Sequence, residues 1–103
     1  MESNRFRIAL LQKTALPGHF HWNLNALLTA MKVAKKNGAD LLLPPECFLT
    51  GYHFPVTNQD GISPNSPLLQ TLSQAAGQLQ IGVVATGFSQ GNAKPRNTAW
   101  VFN

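Results

Sequence analysis

The sequence predicts an α/β domain with elements in the order β-α-β-α-β-β, three parallel strands followed by an antiparallel hairpin strand. Three observations carry the prediction. Short apolar runs stand at residues 6–11 (FRIALL), 40–45 (DLLLPP) and 81–89 (IGVVATGFS). Two stretches between them place apolar residues at helical spacing. A Gly91-Asn92 turn then precedes a last strand-like run.

The first run is nearly continuous, as expected of a strand buried on both faces. Pro17-Gly18 turns the chain. From about residue 20 to 37, Leu24, Leu27, Leu28, Met31 and Ala34 form one helical stripe. Lys32, Lys35 and Lys36 fall mostly off that stripe, as a solvated face near the end that suits cations. Gly38 supplies the stop. The second strand must end at Pro44-Pro45, because neither proline donates a ladder hydrogen bond and Pro45 holds Pro44 extended. Residues 48–67 read as a loop of a length that usually signals function. Pro67 opens a second helix to about residue 80, with Leu68, Leu69, Leu72, Ala75, Ala76 and Leu79 inward. Residues 81–89 and 96–103 complete the set. Right-handed crossovers make the first three strands parallel.

Composition narrows the class. Of 103 residues, 44% are hydrophobic but only 12% charged, about half the usual fraction. A chain so poor in charge is expected to bury surface against something else, and its last strand leaves an open edge. The expectation is therefore the opening portion of a larger α/β unit. No apolar run approaches the roughly 18 residues of a membrane span. Gln12 and Lys13 cut the N-terminal run well short of a secretory core, which needs about 7–15 residues. One cysteine excludes an internal disulfide framework and makes a cytoplasmic setting the default. The net charge of +4 comes from scattered residues, so neither nucleic acid nor membrane is expected as a partner.

Among residues that could do chemistry, Glu46 is the most informative. It follows a parallel strand at the carboxyl end, the rim where α/β sheets bind ligands. Burial without a cation would make it a proton acceptor; a carboxylate that merely caps a loop is an equal alternative from position alone. Cys47 should face away from it, as neighbours in extended chain do, and reads as a small buried apolar residue. Tyr52 and His53 are positioned to line a pocket or to pack in the loop. His19 and His21 do not share a helix face, so no metal site is expected. There is no phosphate-binding glycine loop and no nucleophile elbow. Trp22 and Trp100 read as packing residues.

The segment Gly38-Ala39-Asp40-Leu41-Leu42-Leu43-Pro44-Pro45-Glu46, followed by Phe48-Leu49-Thr50-Gly51-Tyr52, closely resembles the opening signature of the nitrilase superfamily, the carbon–nitrogen hydrolases. Arg7 to Gln12 is similar to the family's first strand and Asn23-Leu24 to the start of its helix pattern. Ile81-Gly82-Val83-Val84 with Gly87, then Asn97-Thr98-Ala99, resemble its third and fourth strands. Pro44 departs from the pattern, where the family carries an aromatic or aliphatic residue.

The resemblance implies the first part of an α-β-β-α sandwich, with residues 1–103 the N-terminal part of a domain of about 250 residues. It implies a Glu-Lys-Cys triad, a thioester acyl-enzyme, no cofactor, and a small-molecule amide, carbamoyl amine or nitrile as substrate. The complete protein would be a homo-oligomer. Glu46 takes the general-base position, and Tyr52 is carried as a substrate-binding residue. The family's lysine and cysteine positions fall beyond Asn103; Lys94 and Cys47 do not match them. The chain by itself is then expected to be inactive. A non-catalytic interaction module of the same fold, or a flavodoxin-like binding domain, are the alternatives.

Overall fold

The computed structural model describes residues 5–52 and 56–103. Strand β1 (Ile8–Leu10) leads through helix α1 (Phe20–Lys36) to β2 (Leu41–Leu43). A single 3-10 turn (Asn58–Asp60) precedes helix α2 (Pro67–Leu79), then β3 (Gly82–Ser89) and β4 (Arg96–Phe102). The sheet order is β1-β2-β3-β4, with the first three strands parallel and β4 antiparallel to β3. That order differs from the 2-1-3-4-5 of flavodoxin-like sheets, which removes that alternative.

Each helix forms where its stripe can be buried. Leu24, Leu27, Met31 and Ala34 of α1 and Leu68, Leu72 and Ala76 of α2 are all buried. They join Leu42, Val83 and Ala85 of the sheet in one core. Both helices therefore lie on the same face, as two crossovers running in one direction require. Ser66 caps α2, its hydroxyl accepting from the Leu68 amide, with Pro67 at the first helical position. Gly38 has φ +83° just after α1, the left-handed stop that glycine tolerates.

Much of the other face of the sheet is bare, outside the patch at Thr86 and Asn97 that the chain after β2 reaches. Alternation along each strand sends Ile8, Leu10, Val84 and Val101 to that side, and Ile8, Leu10 and Val101 are exposed. This corrects the expectation that the first strand is buried on both faces. The apolar run meets a helix layer on one side and no layer of these residues on the other. Trp22, read as a packing residue, is also largely exposed, with Lys13 Nζ 5.0 Å from its ring centre; Trp100 packs partly buried against the core.

The supposed loop is ordered at both ends by the edge of β3. Beyond its short pairing with β2, β3 presents backbone groups that need partners. Leu49 N donates to Thr86 O at 2.8 Å and Ile62 N to Phe88 O at 2.7 Å, while Gln90 N returns to Ile62 O at 3.0 Å. Phe48, Leu49, Thr50 and Ile62 are core residues for this reason. Residues 48–51 thus belong to the packed body, which corrects the reading of 48–67 as one loop.

Candidate active site

Glu46 sits three residues past the end of β2, in a turn over residues 46–50. The two prolines before it stop the ladder, and the chain then reverses. Cys47 adopts φ +55°, a left-handed conformation uncommon for a residue with a Cβ. Gly51 closes the turn, its amide donating to Cys47 O at 2.8 Å. Its φ is +73°, and a Cβ there would lie 2.5 Å from Pro17 Cα, so only glycine fits against the loop between β1 and α1.

Side chains from three other elements hold this turn. The Thr86 hydroxyl of β3 donates to Pro45 O at 2.6 Å and accepts from Phe48 N at 3.0 Å. Asn23, fully buried on α1, donates from Nδ2 to Leu16 O and to Leu49 O, and its Oδ1 accepts from Leu16 N. It ties the loop before α1 to the turn. Thr50, also buried, accepts from Phe88 N at 3.2 Å and donates to Gly51 O at 3.0 Å. On β4, Asn97 Oδ1 accepts from Cys47 Sγ at 3.6 Å. Buried polar groups paired in this way fix a backbone rather than destabilise it.

The turn points its residues in opposite senses. Cys47 is buried, as expected, but through the left-handed backbone rather than through extended geometry. Burial, and secondarily the charge of Glu46, push its thiol pKa up, the wrong direction for a nucleophile. The Glu46 side chain is exposed. The burial that would make Glu46 a proton acceptor is therefore not met within these residues, because the covered side of the sheet is the helix side. Tyr52 is exposed as well, its ring tilted against Phe88 with centres 5.6 Å apart. Neither Glu46 nor Tyr52 lines the 620 Å³ groove between β1 and α1 or the 370 Å³ cleft at the start of α2. His53 lies outside the described residues. No group of three His, Cys, Asp or Glu side chains able to hold a metal ion occurs among the described residues.

Sequence reasoning placed the strand end and Glu46 but read the chain after it as extended, and it gave Asn23 and Thr86 no part in holding a turn. Asn23 stands four residues before Leu27, hence on the apolar stripe; a polar residue there was the available signal. Thr86 gave none, since threonine is an ordinary strand residue.

The sheet thus carries the Glu46 turn at the carboxyl end of its parallel strands. The carbon–nitrogen hydrolase family profile matches residues 7–103, and the chain belongs to that family. Among solved structures it is similar to an amidase from Nesterenkonia sp., with 28% identity over 98% of this chain and a TM-score of 0.75. A double mutant of the amidase from Nesterenkonia sp. AN1 in complex with acrylamide matches at 27% identity over 98% of this chain, TM-score 0.76. Both matches cover 39% of the amidase chain. A glutamine-dependent NAD(+) synthetase from Thermotoga maritima is 44% identical over 48 residues, 47% of this chain and 8% of the synthetase. The chain therefore spans about two fifths of the amidases and a small part of the synthetase.

Proposed function

We propose that these residues supply the general base, Glu46, of an enzyme that hydrolyses small amides through a thioester. The observation that carries the proposal is the placement of Glu46 on a turn held by Thr86, Asn23 and Thr50 within a carbon–nitrogen hydrolase fold. In this reading residues 1–103 are the N-terminal part of the catalytic domain. The lysine and the cysteine come from chain beyond Asn103, and Tyr52, whose ring lies against Phe88, borders the substrate.

The chemistry requires Glu46 to take the proton of the cysteine thiol. The thiolate then attacks the amide carbon, the tetrahedral oxyanion is stabilised by the lysine, and Glu46 returns the proton to the nitrogen, which leaves as ammonia or an amine as the C–N bond breaks. Water resolves the thioester. Ordinary affinities of a glutamate and a thiol make the first transfer uphill by about 6 kcal/mol. An exposed Glu46 cannot close that gap. The reading therefore needs a further layer that covers the turn, desolvates the carboxylate and brings a cation to the sulfur. Cys47 cannot replace the missing nucleophile: its sulfur is buried against Asn97 and its proton is held more tightly than usual.

A non-catalytic interaction module is the second reading, favoured by the bare apolar face and the exposed Glu46. Ammonia release from butyramide and acrylamide separates the two. The 103 residues alone should release none. The complete polypeptide encoded by the gene should turn over, and Glu46→Gln should lower kcat by about 10²–10⁴-fold. A complete polypeptide that folds but lacks turnover, or one indifferent to Glu46→Gln, defeats the catalytic reading.

A further inference from the structure

We propose that Thr86 is the positioning residue for Glu46, setting the place of the carboxylate by clamping the backbone on both sides of it. The inference rests on the reading of Glu46 as the base. No hydrogen bond reaches the Glu46 carboxylate from the described residues, so its position is inherited from the turn that carries it. The Thr86 hydroxyl takes hold of that turn at two points, the carbonyl of Pro45 at 2.6 Å and the amide of Phe48 at 3.0 Å. Those residues bracket Glu46 and Cys47. Its own carbonyl adds a third hold, from Leu49 N at 2.8 Å.

The sequence explains why a hydroxyl is needed. After Leu43 two prolines remove the amides that would continue the ladder from β2 to β3. A carbonyl and an amide three residues apart are left facing one strand. A hydroxyl, which donates and accepts at one atom, serves both. Threonine adds a second property: its β-branch restricts the side-chain rotamer, so the oxygen is fixed by β3 itself. The clamp also spans the left-handed Cys47, a conformation that persists only where its surroundings enforce it. Thr86 thus couples the rigid strand β3 to the conformation from which the carboxylate projects. A displacement of about 1 Å at such a group is enough to cost roughly 10²-fold in rate.

Two measurements test this. In the 103-residue chain, Thr86→Val should raise amide exchange of Phe48 by at least about tenfold and move the Cα shift of Cys47 off its left-handed value. Exchange at Val83 and Ala76 should stay unchanged, and Thr86→Ser should restore both signals. In the complete polypeptide, Thr86→Val should lower kcat about 10- to 100-fold with KM within about twofold, and should cost nothing further once Glu46→Gln is present. Unchanged Phe48 exchange, a uniform rise at every amide, or a Thr86→Val loss that adds fully to Glu46→Gln overturns the proposal. If Thr86→Val does not fold, Thr86→Ser decides: retained Phe48 protection supports the clamp and lost protection refutes it. A complete polypeptide with no turnover would sink the reading of Glu46 as a base, while the exchange data would still decide whether Thr86 holds the turn.

Discussion

On the helix-covered side of the sheet Leu42, Val83 and Ala85 are at most 2% exposed, whereas on the opposite side Ile8, Leu10 and Val101 are 53%, 66% and 71% exposed. All six are apolar side chains on the same four strands. A sheet meant to face water on one side carries polar residues there in alternation. Here the polar residues on that side, Thr86 and Asn97, meet the turn after β2, and Ile8, Leu10, Val84 and Val101 are apolar, so the uncovered part has the composition of a buried face without the cover. The difference separates what the sequence encodes from what the present residues can satisfy. The covered face holds the fold together; the bare face leaves Ile8, Leu10 and Val101 in water.

The largest expected effect is on the covered side. Leu42→Ala should destabilise the chain by about 2–5 kcal/mol, since the helix layer cannot collapse fully onto the space left. Urea unfolding measures it, and a loss below about 1 kcal/mol would mean that the helices pack more loosely than their burial indicates.

A second, smaller effect concerns the patch that the turn does cover, where Cys47 reaches Asn97. The folded chain holds the thiol proton more tightly than the unfolded chain, because burial and then the Glu46 charge raise the pKa above its ordinary 9.0. That contribution is complete below the ordinary thiol range and is lost as pH rises through the folded-state value. Urea midpoints of the parent chain and Cys47→Ala, compared at pH 7.5 and pH 10 (about one unit above the ordinary thiol range), should show the parent losing more. Parallel losses would place the sulfur in contact with water.

The smallest effect belongs to the bare face. Leu10→Ser should change monomer stability by no more than about 0.5 kcal/mol, yet reduce self-association in sedimentation or light scattering. A cost comparable with that of Leu42→Ala would show that Leu10 is covered in solution, and the contrast between the faces would disappear.

Much of this architecture is legible in the residues themselves. The stripe Leu24, Leu27, Met31, Ala34 gives α1 and its inward side, Ser66-Pro67 gives the start of α2, and Gly91-Asn92 gives the hairpin. What an apolar run cannot declare is whether both of its faces find partners within the same residues, so FRIALL reads as fully buried although only Ala9 and Leu11 pack against the core, both partly. Cys47 illustrates a different limit. Local chain direction suggested extended backbone, but the reversal is imposed by contacts with Thr86 and Asn97, 39 and 50 residues away. The position of Glu46 follows from Pro44-Pro45 and was readable; its exposure depends on what lies above the turn and was not.

Cys47 is the chain's one cysteine and is shut beneath its own turn. An alkylating reagent reaches the sulfur only during moments when residues 46–50 lift away. Its labelling rate is thus a native clock for those excursions, readable without introducing any probe, and it would register whether a bound amide slows the segment that carries the carboxylate.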